Sequence, residues 1–161
     1  LIEDIMCPPF LTELFDLVAP CELQRKSVGA LPLEADTDHY SPWHRDTSPL
    51  FHFRNKDNLL AIDATNTKHI PDFYFTVFVT LDDVTRDTGA TQMLLGSHKQ
   101  SLEELLKDPS TTRPAFLEAP AGSIVVLNGK VLHRGTPNTT SQPRDMAYAV
   151  WCAPWFDEIA V

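Results

Sequence analysis

Polar and apolar positions follow two different periods along this chain. Near the start, between Pro8-Pro9 and Pro20, apolar residues recur every three or four positions, which predicts an amphipathic helix packed outside a sheet. Its apolar members are Phe10, Leu11, Leu14, Leu17 and Val18. Beyond that stretch the pattern changes to short runs separated by turn residues, which is typical of β-strands.

The run at 73–81 is the clearest strand, because it is rich in aromatic and β-branched residues. Further strands are predicted at 23–33, 91–95, 116–118, 123–128 and 145–151, with a short helix at 102–107 behind a capping box at Ser101. This pattern predicts an all-β core with peripheral helices, arranged as an antiparallel sandwich or barrel. Residues 47–72 fit no element and could form a roof over a pocket.

Composition is that of an ordinary globular domain, with 43% hydrophobic and 22% charged residues among 161. We expect a single domain over 1–161, although a first residue of Leu1 suggests that an N-terminal segment and some loops are missing from this sequence. The net charge of −9 argues against a nucleic-acid partner. No apolar run is long enough to predict a membrane span, and three scattered cysteines favour reduced thiols in the cytoplasm.

The candidate chemistry begins at His44 and Asp46. Side chains two apart on an extended strand share a face, so these residues present two of the three groups of a 2-His-1-carboxylate iron site. The motif is weak alone, and His133, which ends a later apolar run, could complete it. If residues 136–143 form a hairpin, His133 and Arg144 lie on neighbouring strands. Alternation then places Arg144 on one face with Met146, Tyr148 and Val150, where its guanidinium can hold a carboxylate.

Several segments occur in an order that resembles the phytanoyl-CoA dioxygenase family of Fe(II)- and 2-oxoglutarate-dependent oxygenases. The segments are Trp43-His44-Arg45-Asp46, Thr80-Leu81-Asp82-Asp83, Thr88-Gly89-Ala90-Thr91, Gly96-Ser97-His98, His133-Arg134-Gly135-Thr136-Pro137-Asn138, and then Arg144. The resemblance covers about residues 10–155 and implies a double-stranded β-helix, also called a jelly roll. It departs from the family at Gly135, where many members have a serine, and at Ser41, where some have a longer side chain.

The resemblance also implies a cofactor set. His44, Asp46 and His133 would bind Fe(II), Arg144 would pair with the far carboxylate of 2-oxoglutarate, and O2 would be the oxidant, with ascorbate as a possible reductant. Further co-substrate contacts would come from Phe78 and from side chains sharing its face or following Gly135, namely Thr76, Thr80 and Thr136. The expected reaction is oxidation, foremost hydroxylation, of an unactivated C–H bond in an apolar small molecule of specialised metabolism.

Other interpretations of the same residues stay open. A jelly-roll binding or sensor protein could keep the metal site without turnover, and a zinc hydrolase could use the same triad but would leave Arg144 without a role. The remaining histidines have structural or solvent-exposed interpretations, although two of them, His52 and His69, lie in the predicted roof. The oligomeric state is not predicted.

Overall fold

The computed structural model describes residues 8–47, 70–108, 110 and 112–156. The predicted roof therefore lies mostly outside the described residues, together with His52 and His69. The elements in chain order are α1 (Pro9–Val18), β1 (Gln24–Leu33), β2 (Tyr74–Thr80), β3 (Gln92–Leu95), a 3₁₀ turn (Ser97–Lys99), α2 (Leu102–Lys107), β4 (Arg113–Phe116), β5 (Ile124–Asn128), β6 (His133–Arg134) and β7 (Arg144–Cys152).

The described strands form two antiparallel sheets. One sheet has four strands in the order β1-β7-β2-β5, and the other has three in the order β4-β3-β6. Residues of both sheets and their connections share one buried cluster, which includes Phe78, Leu127 and Met146 from the first sheet's strands and Val131 just before β6. The fold is thus the predicted β core, a jelly roll with helices at its periphery.

Strand β2 shows how sequence alternation divides the first sheet into two faces. Phe75 and Val77 pack outward against α1, which contributes the buried Leu11 and Phe15. Thr76 and Phe78, which alternate with them, point inward and line a cavity between the sheets. The helix is confirmed, but its buried face is narrower than predicted.

Leu17 shows the discrepancy most clearly, because 84% of its surface is exposed. Strand β4 also differs from the prediction, ending at Phe116 where we expected a strand at 116–118. Its Pro114 is compatible with an edge strand, where a missing N–H costs little. The capping box is confirmed, since Ser101 accepts from the Glu104 N–H while the Glu104 carboxylate accepts from the Ser101 N–H.

Cys21 and Cys152 are free thiols; Cys152 is buried, as we expect for a reduced structural cysteine, whereas Cys21 is exposed. Of the helices in the described ranges, neither has the length and apolar character needed to cross a bilayer.

A candidate metal centre between the sheets

Two histidines remote in sequence are joined through their backbones. His44 and His133 form an antiparallel bridge in which each N–H donates to the other's carbonyl at 2.9 Å. The Asp46 N–H donates to the Gly129 carbonyl, also at 2.9 Å. The Asp46 Oδ1 atom lies 3.3 Å from His133 Nε2 and 3.8 Å from His44 Nε2. One ligand atom from each residue falls within 4.8 Å of the others, a spacing that suits a single cation.

The other ring nitrogens of the histidines fix which nitrogen faces the cluster. His44 Nδ1 lies 2.8 Å from the Pro42 carbonyl oxygen, and His133 Nδ1 lies 2.9 Å from that of Val131. A carbonyl can only accept, so each Nδ1 carries a hydrogen and each neutral Nε2 presents a lone pair. Backbone carbonyls orient metal-binding histidines in this way in other proteins.

The Asp46 carboxylate is also oriented by a neighbour. The Thr76 hydroxyl donates to Asp46 Oδ2 at 2.7 Å, which leaves Oδ1 toward the histidines. Burial alone would raise the pKa of Asp46, but the hydrogen bonds from His133 and Thr76 and the nearby histidine charges bring it below its ordinary 3.8. The carboxylate is therefore ionised at neutral pH, as a metal ligand must be.

The contact between Asp46 and His133 also changes the pKa of His133. Burial would lower the pKa of this imidazole, yet the Asp46 carboxylate outweighs that effect and raises the pKa above 6.5. Two lone-pair nitrogens and one ionised oxygen, with His133 buried, Asp46 partly buried and His44 exposed, fit a divalent transition metal such as Fe(II).

Arg144 lies on the same cavity, at the start of β7. Only 5% of it is exposed, and its guanidinium donates to the carbonyls of Thr88 at 3.3 Å and Gly89 at 2.9 Å. Burial lowers the pKa of Arg144 below its ordinary value, while the charges of Asp145 and Asp82 oppose that shift. The predicted alternation is confirmed, because Met146, Tyr148 and Val150 also line the cavity.

The prediction that His133 and Arg144 lie on neighbouring strands is wrong. His133 belongs to the three-stranded sheet and Arg144 to the four-stranded sheet, so both residues reach the cavity from different sheets. The connection between them does not return as a simple hairpin, since Asn138 near its middle bridges to Thr88. Arg134, in contrast, is absent from the cavity wall and donates to Gln92 Oε1 at 2.8 Å.

The predicted co-substrate contacts divide into three groups. Phe78 and Thr136 line the cavity, and the Thr136 hydroxyl donates to the Ala90 carbonyl at 2.8 Å. Thr76 lines it too, but its hydroxyl holds Asp46. Thr80 is a correction: it is 1% exposed, is not part of the cavity lining, and its hydroxyl donates to the Pro120 carbonyl at 2.7 Å.

Sequence reasoning missed how the His44–Asp46 segment is held. Arg45, between the two candidate ligands, is buried and donates to the carbonyls of Ser97 at 3.1 Å and Gln100 at 2.9 Å. The Gly135 N–H donates to Ser41 Oγ at 2.7 Å, which connects the two positions that departed from the family pattern. The only sequence signal for the Arg45 contacts was an arginine placed between the two candidate ligands. Nothing in the sequence indicated the contact between Gly135 and Ser41.

The cavity has a volume of about 400 Å³. Apart from the three candidate ligands, most residues of its lining are apolar or aromatic, and they include Leu31, Leu33, Tyr74, Tyr148 and Val150. A cavity of this size can hold a small co-substrate beside part of an organic substrate.

Comparison with known proteins decides the family. The model of the family described as Phytanoyl-CoA dioxygenase (PhyH) matches residues 29–146. The chain belongs to the phytanoyl-CoA dioxygenase family. The match contains both histidines, Asp46 and Arg144, so the resemblance in sequence is confirmed for the segment that builds the cavity.

Curated relatives agree with the family. The chain is 41% identical over 113 residues to "Dioxygenase easH" of Epichloe festucae var. lolii, a match that covers 70% of this chain and 54% of that protein. The chain thus spans about half the length of the curated relatives that it matches over most of its own length.

Two solved structures share the fold at low sequence identity. The α-ketoglutarate-dependent epimerase SnoN from nogalamycin biosynthesis has a TM-score of 0.68 and 20% identity, over 93% of this chain and 55% of that one. HygX from Streptomyces hygroscopicus, solved with nickel and 2-oxoglutarate bound, has a TM-score of 0.65 and 20% identity, over 94% and 66%.

Proposed function

We propose that this chain is the oxygenase core of an Fe(II)- and 2-oxoglutarate-dependent dioxygenase that oxidises a C–H bond of an apolar small molecule. One observation carries the proposal: His44, Asp46 and His133 converge on one cation-sized point of a cavity that Arg144 also lines. Family membership and the neighbour with nickel and 2-oxoglutarate bound support it.

Each side chain of the cluster has a defined task. His44 and His133 would hold Fe(II) through Nε2 and Asp46 would hold it through Oδ1, which together make the 2-His-1-carboxylate donor set typical of non-haem iron oxygenases. Thr76 keeps the second carboxylate oxygen turned away. The chemistry supplied by bound Fe(II) and 2-oxoglutarate is a coupled oxidation, in which O2 and 2-oxoglutarate give succinate, CO2 and an oxygenated product.

Arg144 selects the co-substrate. Its guanidinium is anchored by two backbone carbonyls and has no acidic partner among the described cavity-lining residues, so it can pair with the distal carboxylate of 2-oxoglutarate. Phe78 and Thr136 form the wall beside it. Arg144 and the three candidate metal ligands line the same cavity, so a dicarboxylate, which can reach both, is favoured over a monocarboxylate.

The walls indicate the substrate class. Leu31, Tyr74 and Val150 offer apolar contact. Arg144 is the one Lys or Arg side chain on the described cavity wall, so nothing there is suited to the phosphates of a CoA thioester. We infer a specialised metabolite, in line with the neighbour from nogalamycin biosynthesis. Hydroxylation is the simplest reaction that we propose for this substrate. We also propose ascorbate as the reductant that keeps the iron in the Fe(II) state. The proposed location of the enzyme is the cytoplasm.

The test combines binding with turnover. Purified protein with Fe(II), 2-oxoglutarate and O2 should release succinate, even slowly without substrate, and Asp46→Ala should remove both succinate release and Mn²⁺ binding. The exposed Asp38→Ala is the matched control and should behave like the unchanged protein. Succinate release by Asp46→Ala would refute the assignment.

Two outcomes would favour the other interpretations. Binding of metal and 2-oxoglutarate with no succinate, across a library of apolar metabolites, would identify a binding or sensor protein. Hydrolysis supported by zinc but not by iron would identify a hydrolase.

A further inference from the structure

The residues next to the two bridged histidines form a contact of their own. Trp43 precedes His44, and Arg134 follows His133. The Arg134 Cζ atom lies 4.7 Å from the Trp43 ring centroid and 4.2 Å from that of Tyr40. We call Tyr40, Trp43 and Arg134 the outer stack.

The outer stack lies on the side of the bridge away from the cavity. Neighbours of a bridged pair point to the opposite face, and in antiparallel pairing Trp43 comes opposite Arg134 when His44 is opposite His133. None of the three residues lines the cavity. Arg134 is held in turn by its bond to Gln92 Oε1 at 2.8 Å on β3.

The segment that carries His44 needs such support. Residues 41–47 belong to no regular strand and contribute a single bridge residue. His133, in contrast, lies on β6, which pairs with β3. A small displacement of the His44 segment would separate the two Nε2 atoms, although the β3–β6 pairing stayed intact.

We propose that the outer stack positions His44 against His133, so that both Nε2 atoms are set for one metal ion. Arg134 lies on β6, is held by its bond to β3, and contacts the Trp43 and Tyr40 rings. These rings hold the backbone of the His44 segment on the face opposite the cavity. The stack is thus a positioning device for the metal site and makes no contact with metal or co-substrate.

This inference rests on the proposed function, because it assumes that the histidines bind a metal. The two ideas fail separately. If the unchanged protein does not bind Mn²⁺, the proposed metal site is wrong. If it binds Mn²⁺ and the stack variants bind equally well, only the positioning role is wrong.

The main test is Arg134→Met, which keeps a long side chain and removes the charge. We expect Mn²⁺ binding, measured by electron paramagnetic resonance without oxygen, to weaken about tenfold, as for other residues that orient metal ligands. The visible absorption bands of the Co²⁺-loaded protein should also shift, because the ligand geometry changes. Arg134→Lys keeps the cation and should recover part of the affinity.

The chain offers a matched control. Arg86 lies 4.5 Å from the Phe116 ring centroid and pairs with Glu118 at 3.4 Å, away from the histidines. Arg86→Met therefore removes a comparable arginine–aromatic contact. It should leave Mn²⁺ affinity and the Co²⁺ bands unchanged, whatever its effect on thermal stability.

Three results would overturn the proposal. The first is an Arg134→Met variant with unchanged Mn²⁺ affinity and Co²⁺ bands. The second is an equal loss in Arg86→Met, which would mean that general stability is responsible. If Arg134→Met does not fold, Trp43→Leu decides, because Trp43 is 37% exposed and is not one of the buried core residues. Unchanged affinity in Trp43→Leu would be the third.

Discussion

Arg144 and the His44–Asp46 segment reach one cavity from supports of different kinds. Arg144 begins β7, a long strand with β1 on one side and β2 on the other. His44 and Asp46 come from an irregular segment held by a backbone bridge, by Arg45 and by the outer stack. A regular strand positions a residue through many shared hydrogen bonds, whereas an irregular segment depends on a few side chains that substitution can remove.

The largest expected effect is at Arg144, the residue that a regular strand positions. Arg144→Met should raise the KM for 2-oxoglutarate at least about 100-fold, because a buried charge partner of the carboxylate is lost. Mn²⁺ affinity should stay unchanged, since the strand keeps its register. Steady-state succinate assays and Mn²⁺ titration measure the two effects. The exposed Arg113→Met is the control, and an unchanged KM in Arg144→Met would remove this residue from the site.

On the irregular side, the first target is the bond that orients Asp46. Thr76→Val should weaken Mn²⁺ binding about 20-fold, because the carboxylate loses the donor on Oδ2. Thr76→Ser keeps the hydroxyl and should recover most of the affinity. Thr80→Val is the matched control on the same strand, since that hydroxyl bonds to Pro120. Equal losses in both valine variants would contradict the positioning role.

The turn before His133 provides a pH-dependent test. Lys130 is 3% exposed and its Nζ lies 2.7 Å from Asp72 Oδ1. Burial raises the pKa of Asp72, but hydrogen bonds from Lys130 and Asn128 and the Lys130 charge bring it below 3.8. The folded pKa is below the unfolded one, so the pair stabilises the fold above pH 3.8 and this contribution is lost as the pH falls below that value.

Asp72→Asn should therefore reduce the free energy of unfolding by about 1 to 2 kcal/mol at pH 7, a value reduced for the partial exposure of Asp72. Urea denaturation of the two proteins should give converging stabilities as the pH approaches 3. A constant difference between pH 7 and pH 3 would show that the ionised pair is not the cause.

The smallest effect is expected at the capping box, which starts α2 directly after Gln100. Ser101→Ala should cost about 1 kcal/mol of stability in urea denaturation, because the Glu104 N–H loses its acceptor. Mn²⁺ affinity should not change, since Arg45 bonds to the Gln100 carbonyl and not to the Ser101 side chain. A loss of Mn²⁺ affinity in Ser101→Ala would show that the position of the His44–Asp46 segment depends on α2 as well.

Local patterns predicted an antiparallel β core and placed His44 beside Asp46, whereas the jelly roll and the assignment of His44, Asp46 and His133 as iron ligands came from the resemblance to the family. Alternation along β7 placed Arg144, Met146 and Val150 on one wall, and two-residue spacing placed His44 beside Asp46. Helical spacing predicted α1, but an amphipathic pattern cannot say how much of its apolar face a particular sheet will cover. Leu17 stayed exposed for that reason.

Long-range contacts could not be predicted in the same way. Alternation predicts that Thr76 and Thr80 lie on the same face of β2. Only the folded chain brings Asp46 to the Thr76 hydroxyl and the Pro120 turn to the Thr80 hydroxyl. The assumed hairpin between His133 and Arg144 failed because their connection crosses from one sheet to the other. The bonds of Arg45 span more than fifty residues, a separation at which no periodicity gives information.

The pairing of Arg144 with neutral carbonyls has a consequence for charge balance. Among the described cavity-lining residues, Asp46 and Arg144 are the only ones with a full charge at neutral pH when the histidines hold a metal, and these two cancel. A divalent ion then leaves the site with two positive charges, inside a protein whose net charge is −9. A dianion such as 2-oxoglutarate restores neutrality, so metal should bind before 2-oxoglutarate, and a substrate of the proposed apolar class would enter a site that is already electrically balanced.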